Sequence, residues 1–191
     1  MLGASPTLLS LLRARIRTPG SLEATLTEAC RDLGLDEGEA VSPVSVGYAL
    51  LKIGAQPEEV SRLLSWKDFE LLSAALLKAS GYSVRENVVL TKPRAQLDIV
   101  ATGTSLTLSV DCKHYLRSHS PSALEKFARD QLRRSELLRR KAQVRGSIAS
   151  VILSMSEPEG KFVGGVAVVP IRTLRSFLNS VESYLGALEL R

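Results

Sequence analysis

The sequence predicts an α/β fold: a mixed central sheet with helices on its faces, preceded by a small all-helical unit. Three observations carry this. From Ser65 onward the apolar pattern runs helix, three strands, long helix, two strands, helix. Before Ser65 only helical spacing occurs. The composition, 45% hydrophobic and 24% charged over 191 residues, is that of a globular chain able to bury a sizeable core. The expected division is residues 1–64 and residues 65–191.

Residues 1–20 end in Thr18-Pro19-Gly20 and read as an arm or linker. Ser21 opens a helix with Leu22, Leu26, Ala29 and Leu33 on one face, and Gly34 stops it. An acidic turn over 35–43 follows, then a short helix after Ser42. A third begins at Pro57 with Glu58 and Glu59 in its first turn, where the helix dipole favours acids. Ser65 and Asp68 form a capping-box pattern ahead of a helix whose Trp66, Phe69, Leu72, Ala75, Leu76 and Ala79 share a face. Gly81 ends it. Residues 82–90, 96–102 and 106–115 read as strands, interrupted by Pro93 and by the Gly103–Ser105 turn. Pro121 opens a long helix to about Gln143. Residues 148–155 and 166–171 are apolar strands, with a Gly/Pro-rich loop between them. Arg172–Leu188 closes the chain as a helix.

Composition narrows the function classes. No apolar run approaches the ~20 residues of a membrane helix. The apolar N-terminal stretch lacks a basic lead and a cleavage site, so it reads as mature sequence. Cys30 and Cys112 form no CxxC pair or ligand cluster, which points to a reducing, cytoplasmic setting. The net charge is +5 and the pI about 9.4, compatible with nucleic acid. Residues 121–145 hold eight Lys/Arg against three Asp/Glu, so this segment alone carries an excess of five. A charge run is by default a solvated face; this skew also suits phosphate contacts by Arg129, Arg133 and Arg140.

The chemistry concentrates in Leu97-Asp98-Ile99 and Val110-Asp111-Cys112-Lys113. Strand alternation puts Asp111 and Lys113 on one face. Twelve residues separate Asp98 from Asp111, so a hairpin brings the two carboxylates together. An Asp-x-Lys on a strand is often a surface ion pair. Here, however, the acids interrupt strongly apolar strands, where a carboxylate is costly unless paired or bound to a cation. Two aspartates and a backbone carbonyl, that of Cys112, are hard ligands suited to Mg²⁺.

Four short motifs in order, Trp66-x-x-Phe69-Glu70, Gly81-Tyr82-x-Val84, Asp98-Ile99-Val100-Ala101 and Val110-Asp111-Cys112-Lys113, resemble the Mrr-like, archaeal restriction-endonuclease branch of the PD-(D/E)XK nuclease superfamily. The Holliday-junction resolvases share that core. The resemblance implies a restriction endonuclease-like αβββαβ core within 65–191 and a Mg²⁺-dependent endonuclease acting on duplex or branched DNA, with Mn²⁺ as substitute. By this match Asp98 is the first acid, Asp111 the (D/E) acid and Lys113 the lysine. Glu70 matches a helix acid that assists metal binding; its alternative is an exposed helix glutamate. The sequence departs from the family pattern with Leu97 before Asp98 and with Asp rather than Glu at position 111. Gln131 lies on the inner face of the long helix, either reaching the site and the nucleic acid or serving as a structural amide. A possible homodimer follows from the need to cut two strands, with Tyr184 and Leu188 offered to the partner. The alternative function is an inactive nucleic-acid-binding protein or adaptor subunit.

Overall fold

The computed structural model describes residues 7–16, 21–35, 41–115, 119–142, 146–156 and 160–184. Five helices precede the sheet: α1 (Leu8–Arg15), α2 (Ser21–Leu33), α3 (Pro43–Lys52), α4 (Pro57–Ser61) and α5 (Trp66–Ala79). Strands β1 (Ser83–Leu90), β2 (Ala95–Thr102) and β3 (Leu106–Lys113) come next, then α6 (Pro121–Ala142) and β4 (Ser147–Ser154). The hairpin β5 (Lys161–Val163) and β6 (Val166–Pro170) leads into α7 (Leu174–Ser180). The six strands form one mixed sheet in the order β1-β2-β3-β4-β6-β5. β1, β2 and β3 are antiparallel, β3–β4 and β4–β6 parallel, and β5 returns antiparallel on β6. This mixed α/β architecture has the layers and strand directions of a restriction endonuclease-like fold.

One continuous core lies between the sheet and the N-terminal helices. Leu12, Leu26, Leu50 and Leu64 join Phe69 and Leu72 of α5 and Ile99, Leu108, Val110 and Leu153 of the sheet. The opposite face is covered by α6 through two smaller clusters. Leu97, Val100, Leu138 and Ile148 form one; Leu124, Ala128, Ile152, Val166 and Val168 form the other.

The structure differs from the sequence reading at four places. The expected arm contains α1, started by a reciprocal box: the Ser10 amide donates to Thr7 Oγ1 and the Thr7 amide to Ser10 Oγ. The usual Glu or Gln of such a box is absent, which hid it. Trp66 is 57% exposed rather than on the packed face. A first-turn side chain covers the turn before it, and here that is the cap and solvent. The loop expected after β4 contains β5, joined to β6 by Gly164 and Gly165 at φ 53° and 80°, the backbone that a two-residue hairpin turn requires. Among the described residues the closing helix is interrupted. A 3-10 turn (Ile171–Thr173) precedes α7 and another (Val181–Tyr184) follows it. Ser180 Oγ bonds the Ser176 and Phe177 carbonyls at that break, a local competitor to helix hydrogen bonding. Leu174 and Val181 pack into the main core. Leu188 lies outside the described residues.

One irregularity shapes the site. In the β1–β2 ladder Glu86 pairs with Ile99 and Val88 with Leu97, while Asn87, opposite Asp98, makes no ladder pair and sits at φ 51°. Asn tolerates this left-handed backbone better than most residues. The face presented by β1 changes there: Val84 packs toward α5, whereas Val88 and Leu90 pack beside Leu137 and Leu138 of α6.

Candidate active site

The β2–β3 ladder is regular from Thr102↔Thr107 to Ile99↔Val110 and stops. The next residues in register are Asp98 and Asp111. Instead of main-chain pairing, Asp98 Oδ2 accepts the Cys112 amide at 2.8 Å. The carboxylate thus takes the place of a ladder carbonyl, and the strands part around two aspartates. Asp111 stays on the parallel ladder opposite Ile152 of β4, which holds it rigidly.

Asp111 is 2% exposed and meets two cations. Lys113 Nζ lies 2.6 Å from Oδ2, and Arg134 of α6 lies 2.5 Å from Oδ1. The Arg134 contact is a hydrogen bond. The Lys113 contact is an ion pair only, and among the described residues Oδ2 has no hydrogen-bond donor of proper geometry. Lys113 Nζ also sits 4.9 Å over the Phe127 ring, a cation–π seat that fixes the ammonium. Phe127 in turn stands against His119 and Tyr115.

Asp98 is held above the ordinary carboxylate range, first by burial and then by the charge of Asp111. The Cys112 amide, Lys113 and Arg134 oppose that rise. Glu70 is raised as well, by burial and next by Asp98, with smaller parts from Glu86 and Asp111. The sequence-predicted Asp98, Asp111 and Lys113 are therefore together, and Glu70 stands within their electrostatic reach. Among the described residues no three His, Cys, Asp or Glu side chains converge as a metal-binding group. Glu70 is thus not brought in as an inner ligand beside the two aspartates. Cys112 contributes its amide to Asp98. Burial pushes its thiol well up, so a thiolate ligand is disfavoured.

The donor set fits a hard divalent cation bound through two carboxylates. Asp111 Oδ2 is a buried acceptor without a hydrogen bond, and Asp98 and Glu70 are both destabilised as anions, first by burial and then by neighbouring negative charge. Mg²⁺ is commonly held by one or two carboxylates, with water and phosphate completing its shell.

Gln131 lies buried beneath α6, a placement that suits the structural amide of its two expected roles rather than contact with nucleic acid. It is 0% exposed, and its Nε2 donates to the Ser109 carbonyl at 2.7 Å and to Ser109 Oγ at 3.1 Å. Its Oε1 accepts from Arg134 at 3.4 Å. Arg129 and Arg140 are exposed, each near an acid one turn away, at 3.9 Å from Glu125 and 3.8 Å from Glu136. Arg133 is also exposed. Charge counting missed Arg134 as a site residue. The available signal was its place three residues after Gln131, on the same inner face. His114 donates or accepts at Ser61 Oγ (3.2 Å) and packs on Phe69, outside the site.

Residues 61–137 match the family model described as Restriction endonuclease (Mrr_cat), a segment that contains every one of these site residues except Arg140. The chain is also similar to an uncharacterized protein of Archaeoglobus fulgidus, 28% identical over 127 residues, which take in 64% of this chain and 96% of that protein. No solved structure matches the chain. No helix among the described residues is long and apolar enough to cross a membrane. The segment 61–137 is thus restriction endonuclease-like, similar to the Mrr-like branch of the PD-(D/E)XK nuclease superfamily.

Proposed function

We propose that this chain is a metal-dependent endonuclease that hydrolyses phosphodiester bonds of DNA, duplex or branched. The observation that carries the reading is the parting of β2 and β3 at Asp98 and Asp111, which leaves two carboxylates and the Lys113 ammonium together. Asp98 and Asp111 are the residues that would hold Mg²⁺, or Mn²⁺ in its place, with the Cys112 carbonyl and water as further oxygen donors. A cation bound there supplies a more acidic water and offsets charge on the phosphate. Lys113 carries positive charge to the scissile phosphate and offers N–H groups to orient the attacking water. Its contacts with Asp111 and Phe127 hold it in place before DNA arrives. Glu70 adds negative charge behind the aspartates. Arg129, Arg133 and Arg140 line the outer side of α6, where phosphates can be tracked. Helices α2 and α3 buttress α5, and the setting is cytoplasmic.

The test is incubation of the purified protein with plasmid, linear and four-way-junction DNA in Mg²⁺, Mn²⁺ or EDTA. Cleavage in either metal and none in EDTA is the expected result. A second reading, a protein that binds nucleic acid without cutting it, is favoured by one observation: both Asp111 oxygens already face cations. DNA binding without cleavage in any metal would select it.

Two-strand cutting is most simply done by two sites across a two-fold axis, so we expect a homodimer. A sedimentation mass near 20.7 kDa at micromolar concentration, with and without DNA, would eliminate the dimer.

A further inference from the structure

Arg134 is the residue of the site that the reading above leaves without a task. Its guanidinium lies 2.5 Å from Asp111 Oδ1. It is aimed there by Gln131, which accepts one of its N–H groups while its own amide is locked to Ser109. Asp111 is buried, and a buried carboxylate stripped of its partners is strongly destabilising. Arg134 thus does for Asp111 what a metal ion would do: it neutralises the carboxylate. The two claims conflict, because the same carboxylate is the proposed ligand of the divalent cation. Arg cannot resolve the conflict by losing its proton. A cation on the other oxygen, Oδ2, would face the guanidinium's charge across one carboxylate; turning away relieves that repulsion, and the substrate phosphate is an anion whose geometry suits its planar fork.

We propose that Arg134 is an exchangeable counter-ion. It occupies Asp111 while the site is without metal and moves to a phosphate oxygen of DNA when a divalent cation takes the carboxylate. This rests on the assignment of Asp98 and Asp111 as metal ligands and adds a competition that the assignment alone does not contain. Metal affinity without DNA is held down by Arg134. With DNA present the displaced guanidinium has a second anion, so metal and DNA strengthen each other's binding.

The test is calorimetric titration of DNA-free protein with Mn²⁺. Arg134→Met and Arg134→Gln should each bind Mn²⁺ about tenfold tighter than the parent, the size expected when a charge-assisted hydrogen bond no longer has to be broken. Single-turnover cleavage at saturating Mn²⁺ should nonetheless fall about a hundredfold, because neither side chain can carry positive charge to the phosphate. Arg134→Lys, which keeps the charge, should bind Mn²⁺ within about twofold of the parent. A merely structural arginine would give metal affinity unchanged or weaker in Met and Gln variants, and that result overturns the proposal. A readout on the unsubstituted protein needs no variant to fold: the Arg134 Nε–Hε NMR resonance should move on adding Mg²⁺, and a resonance that stays put also overturns the proposal. A parent that binds Mn²⁺, with binding weakened about tenfold in Asp98→Asn, keeps the metal-site reading standing even if Arg134 fails. A parent that binds no Mn²⁺ overturns both.

Discussion

The two faces of α6 carry the same side chain to different ends. On the outer face Arg129 and Arg140 are 70% and 73% exposed and approach their acids only at 3.8–3.9 Å. Pairs of that kind contribute little to stability. On the inner face Arg134 is one residue away from Arg133 yet sits on the buried Asp111, oriented by the buried Gln131. A step of one residue turns a helix by about 100°, enough to take a guanidinium from solvent to the centre of the site. Charge composition predicts how strongly a helix attracts phosphate. Which arginine belongs to the chemistry depends on what faces it across the sheet.

The comparison breaks most visibly at the inner face. Asp111→Ala and Lys113→Ala should each lower cleavage by roughly a thousandfold or more, the scale of losing an electrostatic element of a site. Far-UV circular dichroism should show the fold retained. Cleavage at parental rates in both variants would remove the inner face from the chemistry altogether.

Next in size is Gln131→Ala. It strips the buried Ser109 carbonyl and Arg134 of a partner and leaves a cavity under α6. Urea denaturation should register a loss of about 2–3 kcal/mol. A loss within about 0.5 kcal/mol, the range of ordinary surface substitutions, would mean that the inner face tolerates unsatisfied groups and does not position Arg134.

Asp98 sharpens the contrast through pH. Its pKa is raised by burial and by Asp111, so its ionised form costs folding free energy. That cost is present above the raised folded pKa, shrinks as pH falls through it, and is gone below the ordinary unfolded value of about 3.9. Asp98→Asn keeps an acceptor for the Cys112 amide and loses the charge. It should therefore melt higher than the parent at pH 7, with the gap closing toward pH 4, while needing about tenfold more Mg²⁺ for cleavage. A lower melting temperature at pH 7 would show that Asp98 is stabilising as an anion.

The smallest effects belong to the outer face. Charge reversal at Arg133 and Arg140 should weaken DNA binding and lower the slope of log K against log salt by about two, near 0.9 for each phosphate no longer neutralised. The rate at saturating DNA should hardly change. An unchanged slope would make the outer arginines plain solvated surface.

Local rules made a large part of the architecture legible. The Ser65/Asp68 box, the alternation of β2 and β3, and the stop at Gly146 each depend on neighbours in the chain, and α5, β1–β4 and α6 begin and end within a residue or two of the expected places. The approach of Asp98 to Asp111 was equally legible, because a hairpin register is a local property. Sequence alone determined the order of five of the six strands and the identity of the two acids and lysine. Tertiary structure decided what local pattern cannot encode. It determined that the ladder opens at Asp98 beside a left-handed Asn87, that Gln131 is buried, and that Arg134 rather than Arg133 meets Asp111. These outcomes depend on the rotation and height at which α6 docks on the sheet. Packing of Leu124, Ala128 and Leu138 against distant strands sets that docking, and no run of adjacent residues carries the information.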